Sequence, residues 1–280
     1  MTSPPTPTPD LMPLRKVITH YGLAARKGLG QHFLLDLNLT GRIVKEAGAM
    51  AGVHVIEIGP GPGGLTRSLL ASPAAHLTAI EKDPRCVKAL EPLTAAYGER
   101  FTLIEGDALD ADLIALSAAP RAIIANLPYN VGTPLLLSWL PLLDQFQSLT
   151  LMLQTEVVDR LLAKPDTEAY CRLSVLTQFC ATGRCVMKVP AGAFSPPPKV
   201  ESSVVHLTPR KDRPVDVAFE TLQKMATTAF AQPRKMLRTS LKSLGGEALL
   251  EKAGVDPSWR AGQLSLQAFE ALSRAYRKGD

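Results

Sequence analysis

From residue 39 onward, short apolar runs alternate with stretches patterned for helices. HVIEI (54–58), LTAI (77–80), FTLIE (101–105), RAIIA (121–125) and SLTLMLQ (148–154) are too short for helices and apolar on both alternating faces, so they predict strands. Between them LTGRIVKEAGA (39–49) and segments near 65–71, 84–97 and 133–143 carry helical spacing. Strands without a polar face, separated by helices, predict an α/β fold whose parallel sheet is covered on both sides. CRLSVLTQFCA (171–181) then reads as a helix, and RCVMKVP (184–190) and SSVVHL (202–207) as two further strands. Beyond Pro209 the pattern becomes helical, which predicts a smaller all-α domain. The charged, proline-containing PRKDRP (209–214) marks the boundary. The expected organisation is a disordered tail at 1–13, an α/β domain at 14–209 and a helical domain at 210–280.

Charge sharpens this division. Residues 1–208 hold 18 Lys+Arg and 18 Asp+Glu, whereas residues 209–280 hold 13 and 8, so the whole net charge of +5 falls in the helical part. A neutral body with a basic appendage suits a polyanionic partner. The longest apolar runs, such as 134–143, are too short for a membrane span, and MTSPPTPTPD lacks the basic and apolar regions of a signal peptide. Cys86, Cys171, Cys180 and Cys185 form no CxxC pair, so reduced thiols in a cytoplasmic protein are expected. No His lies at metal-ligand spacing from another His or a Cys, and no metal is expected.

The first chemical signal is VIEIGPGPGGL, between a strand and a helix. Gly59, Gly61 and Gly64 fit G-x-G-x-x-G, and Glu81 ends the next strand, where an acidic residue binds ribose hydroxyls. The loop admits a dinucleotide or S-adenosylmethionine. Pro60 and Pro62 weigh toward the second, because they remove backbone N–H groups that a pyrophosphate would need. Asp107, just past the third strand, can accept an adenine amine or cap a helix.

The second signal is Asn126-Leu127-Pro128-Tyr129, at the carboxyl end of the fourth strand, where open α/β sheets gather functional groups. The lone pair of an exocyclic amine on a base is delocalised, so the amine is a poor nucleophile. Acceptors aimed at both N–H groups favour a pyramidal nitrogen with a localised pair. The Asn126 side-chain oxygen and a backbone carbonyl beside Pro128 can supply them, and Tyr129 can stack on the base. Positioning and electrostatics then carry the reaction without a strong general base.

With these motifs in order, the chain resembles the KsgA-type small-subunit rRNA adenine dimethyltransferases over nearly all of its length after the tail. GLGQHFLLD (28–36), EIGPGPGGLT, IEKDP, EGDAL, NLPYN, AFSPPPKVESSV (193–204), AQPRKMLRTSL (231–241) and RAGQLSLQAFEAL (260–272) carry the resemblance. It implies a Rossmann-like class I methyltransferase sheet. It also implies that S-adenosylmethionine is held by His32, Leu34, Gly59, Gly61, Glu81, Asp107 and Asn126. Asn126, Leu127, Pro128, Tyr129 and Phe194 would form the catalytic set, with Phe194 stacking on the target base opposite Tyr129. The implied reaction dimethylates the N6 amines of two adjacent adenosines near the 3′ end of 16S rRNA, within an immature 30S subunit, by a monomer. Leu29, His32 and Pro233 depart from the usual pattern. Arg234, Lys235, Arg238 and Lys242 are the expected RNA contacts; Arg234, Arg238 and Lys242 recur every four residues as one helical stripe would, beside Leu237, Leu241 and Leu244. A large-subunit dimethyltransferase of the macrolide-resistance type, or an assembly factor with secondary methylation, stands as the alternative.

Overall fold

The computed structural model describes residues 11–23 and 31–277. Most of the expected tail, and Leu29, lie outside the described residues. In chain order the elements are α1 (Leu14–His20), β1 (Phe33–Leu34), α2 (Leu37–Glu46), β2 (His54–Ile58), α3 (Gly64–Leu70), β3 (His76–Glu81), α4 (Pro84–Tyr97), β4 (Phe101–Glu105), β5 (Arg121–Asn126), α5 (Gly132–Trp139), β6 (Ser148–Gln154), α6 (Thr155–Leu162), α7 (Arg172–Cys180), β7 (Ala181–Val189), β8 (Phe194–Ser195), β9 (Ser202–Pro209), α8 (Phe219–Phe230), α9 (Leu237–Ser240), α10 (Gly246–Lys252) and α11 (Leu266–Arg277). Two aspartates set helix starts. Asp36 accepts from the backbone N–H groups of Asn38 and Leu39 before α2, and Asp83 accepts from that of Arg85 before α4, which begins with Pro84.

The main sheet has seven strands in the order β4-β3-β2-β5-β6-β9-β7. The pairs β4–β3, β3–β2, β2–β5 and β5–β6 are parallel. Burial follows position in the sheet. β5 and β6 are buried along all but their last residues, whereas edge strand β4 is partly exposed. Strand order reverses between β2 and β5, and ligands of open α/β sheets bind outside the carboxyl ends of strands at such a point.

A separate two-stranded ribbon, β1 with β8, is antiparallel and pairs Phe33 with Ser195 and Leu34 with Phe194. It joins the segment before α2 to the proline-rich loop, a link that no sequence periodicity announces.

By contacts the chain divides into two compact units. The first holds the described residues up to Ser138, Asp144–Thr155 and Cys185–His206, with Val55, Leu69, Leu77, Leu90 and Ile124 at the centre of its core. The second holds Trp139–Leu143, Glu156–Arg184 and the chain from Leu207 on. Its interior includes Phe230 stacked on Phe269 at 5.8 Å, a hydrogen bond from Tyr170 to the Leu264 carbonyl (2.9 Å), and an Arg210–Glu270 ion pair (2.7 Å).

The basic stripe does not lie on one helix. Met236 has extended backbone (ψ 151°), so α9 spans only Leu237–Ser240. Arg234 and Lys235 fall in the preceding turn, and Lys242 in a short 3-10 segment. Pro233 lies in that turn, and a proline there could not donate to a continuing helix. Arg234, Lys235, Arg238 and Lys242 are all exposed, while Leu237 and Leu241 are buried.

Candidate active site

The glycine loop follows β2 and NLPY follows β5, and these strands are parallel neighbours with Ile56 beside Ile123. Three residues further along each strand stand Gly59 and Asn126. A side-chain carbon added at Gly59 would sit 3.6 Å from the Pro128 ring, so the two loops abut. Both line one cavity of about 210 Å³, together with His32, Leu34, Gly61, Glu81, Asp107, Leu127 and Tyr129. Phe194 is not among its lining residues. Its ring is 4% exposed and packs in the core, edge-on to His32 at 6.5 Å between centroids.

Gly59 has φ +66°, a conformation that disfavours side chains. Its N–H donates to the Ile80 carbonyl (2.9 Å), turning the chain sharply at the end of β2. Gly64 is needed for a different reason. An added carbon there would lie 2.1 Å from the Leu34 carbonyl oxygen, so the first turn of α3 packs directly on the backbone of β1.

The Asn126 side-chain nitrogen donates to the His32 carbonyl (3.2 Å). A carbonyl only accepts, so the amide nitrogen must face it, and Oδ1 is left for another donor. Pro128's carbonyl already accepts from Val131 and Gly132. The Leu127 carbonyl receives no backbone N–H among the described residues, which makes it the available backbone acceptor. Tyr129 Oη and Ser202 Oγ are 2.6 Å apart, and the Tyr129 ring lies 5.4 Å from that of His32, tilted by 31°. His32 Nδ1 is 2.9 Å from the Pro196 carbonyl, so Nδ1 carries the proton.

Glu81, 6% exposed, accepts from the N–H groups of Gly61 (2.9 Å) and Asp83 (2.8 Å). Burial raises its pKa, and those N–H groups pull against the rise. Asp107 is held below its ordinary value chiefly by Lys82, 2.6 Å away. Its other oxygen accepts from Leu109 N (3.0 Å), closing a turn and not a helix.

Sequence reasoning passed over Glu57, although a carboxylate inside the apolar VIEI was the signal. Glu57 lines the cavity, is 1% exposed, and its Oε2 has no hydrogen-bond partner. Burial pushes its pKa up to about 8 from an ordinary 4.5. The folded chain therefore keeps this proton at pH values where the unfolded chain has lost it. Stability from this group is full below about pH 4.5, falls as pH rises, and levels off above about 8. Urea unfolding of Glu57→Gln at pH 5 and pH 8 is expected to show a smaller loss across that window than wild type. Identical losses would mean that Glu57 is ionised in the fold.

Among the described residues, no cluster of three or more His, Cys, Asp or Glu could hold a metal. No described helix is long and apolar enough to cross a membrane.

The family model for ribosomal RNA adenine dimethylase matches residues 22–278. The chain is 52% identical to ribosomal RNA small subunit methyltransferase A of Rhodospirillum rubrum, over 96% of this chain and 94% of that protein. It is also 52% identical to the protein of the same name from Paramagnetospirillum magneticum, over 95% of each. Among solved structures, a dimethyladenosine transferase from Plasmodium falciparum superposes with a TM-score of 0.74 at 24% identity, covering 86% of this chain and 96% of that one. The 23S rRNA methyltransferase ErmE superposes at 0.65 with 25% identity, covering 88% and 99%. The sheet is thus the expected Rossmann-like methyltransferase sheet, and a methyl-donor cofactor follows from the family.

Proposed function

The chain belongs to the ribosomal RNA adenine dimethylase family, and from that premise we propose that it uses S-adenosylmethionine to dimethylate the N6 amines of two adjacent adenosines near the 3′ end of 16S rRNA. The observation that carries the reading is the abutment of Gly59 with Pro128 in a cavity shared by the glycine loop and Asn126.

The residues present fit the cofactor. Pro60 and Pro62 offer no N–H to a phosphate, and S-adenosylmethionine has none. Gly59 and Gly61 leave room for close approach, and the unpartnered Glu57 Oε2 leaves a buried polar atom at the cavity for a polar group of the cofactor to meet. Glu81 would hold the ribose and Asp107 the adenine amine, with His32 and Leu34 closing the cavity. When bound, the cofactor supplies a methyl group on a positively charged sulfur.

The chain's own part is to present the acceptor. Asn126 Oδ1 and the Leu127 carbonyl accept the two N–H groups of the target amine and localise its lone pair. Pro128 keeps Leu127 extended, which aims that carbonyl. Tyr129, held by Ser202, stacks on the base. The proton released from the methylated nitrogen passes to water. Phe194 would need to turn out of the core to stack on the opposite face.

In this reading the enzyme acts as a cytoplasmic monomer on an immature 30S subunit, with the exposed Arg234, Lys235, Arg238 and Lys242 meeting RNA phosphates. The large-subunit alternative is less favoured: the relatives at 52% identity are named for the small subunit, whereas ErmE stands at 25%. Offering purified immature small and large subunits in parallel tests the choice. Methylation of the small subunit alone is expected, and a preference for the large one would overturn it.

A further inference from the structure

The chain has two tryptophans. Trp139 is buried at 3% exposure, whereas Trp259 is 43% exposed. The backbone of Trp259 is firmly held. Its N–H donates to the Asp256 carbonyl (3.2 Å), and its carbonyl accepts from Leu237 N (2.7 Å). Arg238 N donates to Pro257 (3.2 Å), and the Asp256 side chain accepts from both Ser258 N (2.8 Å) and Ser258 Oγ (2.7 Å). Leu237, fully buried, ties the facing segment to the core. The indole is therefore presented from a fixed base, and the ordering entropy is already spent in folding.

Its surroundings are cationic. The two hydrogen-bonded segments, 232–239 and 256–260, contain Arg234, Lys235, Arg238 and Arg260, all exposed. Among the described residues none of these four forms an ion pair. Two acids share this surface: Asp256, engaged by Ser258 and within electrostatic reach of Arg238, and Asp166, which lines a pocket with Pro233, Ser258 and Arg260, so the four cations outnumber the acids. Met236, 40% exposed, adds apolar surface on the facing segment. An aromatic ring on a surface with an excess of exposed cations suits a ligand that is apolar in its faces and anionic along its backbone, which is the chemistry of single-stranded nucleic acid.

We propose that Trp259 is a stacking platform for an unpaired nucleobase of the RNA, at a site separate from the one where the target adenine is methylated. The neighbouring Arg234, Lys235, Arg238 and Arg260 receive the phosphates on either side of that base. A paired duplex hides its base faces, so the platform selects an unpaired or bulged nucleotide, whereas phosphate contacts alone would not discriminate. This rests on the reading that RNA is the substrate.

Tryptophan emission reports the contact directly, because Trp139 is buried. Titrating the full chain with a short single-stranded RNA is expected to quench the exposed indole saturably, and a paired RNA of equal length is expected to quench it far less. In anisotropy titrations with the same labelled RNA, Trp259→Phe is expected to bind within about twofold of wild type and Trp259→Ala about 5- to 100-fold more weakly. The thermal midpoint should stay unchanged, since the hydrogen bonds at 259 are made by the backbone. On immature small subunits the alanine loss should fall on KM and not on kcat. Equal quenching by single-stranded and paired RNA, or unchanged RNA affinity in Trp259→Ala, would overturn the platform. Normal RNA affinity with a raised KM on subunits alone would also overturn it, assigning the ring to a protein contact. A wild-type chain that transfers no methyl group would instead count against the proposed function, independently of these titrations.

Discussion

Asn126→Ala is expected to lower methyl-transfer turnover by about a hundred- to a thousandfold, with RNA affinity and thermal stability close to wild type. The side chain is half-buried and makes one hydrogen bond, to the His32 carbonyl. Its removal leaves that carbonyl beside the cavity, where water can satisfy it, so the fold loses little. The reaction loses an acceptor that the proposed mechanism uses only as the amine nitrogen becomes pyramidal. Interactions stronger in the transition state than in the ground state move kcat, whereas uniform binding moves KM. Single-turnover rates at saturating cofactor and small subunit, with RNA affinity measured separately, check this division. An equal loss of RNA affinity would make Asn126 a binding residue, and unchanged turnover would remove its catalytic role.

Gly64→Ala is expected to be the most damaging change in the glycine loop: a loss of about 1–3 kcal/mol of stability together with at least about a tenfold loss of cofactor affinity. The added carbon would meet the Leu34 carbonyl oxygen at 2.1 Å, and that atom is backbone, so no side-chain rotation relieves the clash. Either α3 or β1 must move. β1 is pinned to β8, and the preceding residue, His32, supplies the carbonyl that orients Asn126. One methyl group therefore reaches both the cofactor wall and the catalytic amide. Gly41→Ala is the control: it lies inside α2 with nothing within 4 Å of an added carbon, and alanine there should leave stability unchanged or raise it by about 0.5–1 kcal/mol. Urea unfolding and calorimetric titration with S-adenosylmethionine check both. Equal behaviour of the two variants would contradict the packing argument.

The parts of the fold that were legible are those whose physics is local. β2, β4 and β6 have the bounds that their apolar runs predicted, and β5 runs one residue further; β2, β5 and β6 are buried almost throughout, and in edge strand β4 the short run bounded by helical segments was enough. The strand order was not legible: β2, β3 and β4 pair in sequence, but β5 returns across the sheet to pair with β2, and that pairing brings Gly59 beside NLPY. The β1–β8 ribbon was not legible. It pairs two residues with two others about 160 positions away, too few for any periodicity, yet it fixes Leu34 against Gly64. The basic stripe misled in the opposite way. A four-residue recurrence resembles a helix, but the extended backbone at Met236 confines α9 to one turn. Phe194 shows what a motif leaves out: its position near His32 comes from the β1–β8 pairing, and its burial from Met187, Val189 and Val204 packed in the same core. Glu57 was visible as a carboxylate in an apolar strand. Its meaning needed the cavity and the orphaned oxygen.

All of the chemistry depends on a methyl group crossing from the glycine-loop side of one cavity to an amine held by Asn126. The most direct measurement incubates the purified chain with methyl-labelled S-adenosylmethionine and immature small subunits, digests the rRNA to nucleosides, and identifies the labelled product by mass. The account predicts N6,N6-dimethyladenosine. Label on another base or on ribose, or binding of the cofactor with no transfer to adenine while a control enzyme is active, would contradict it.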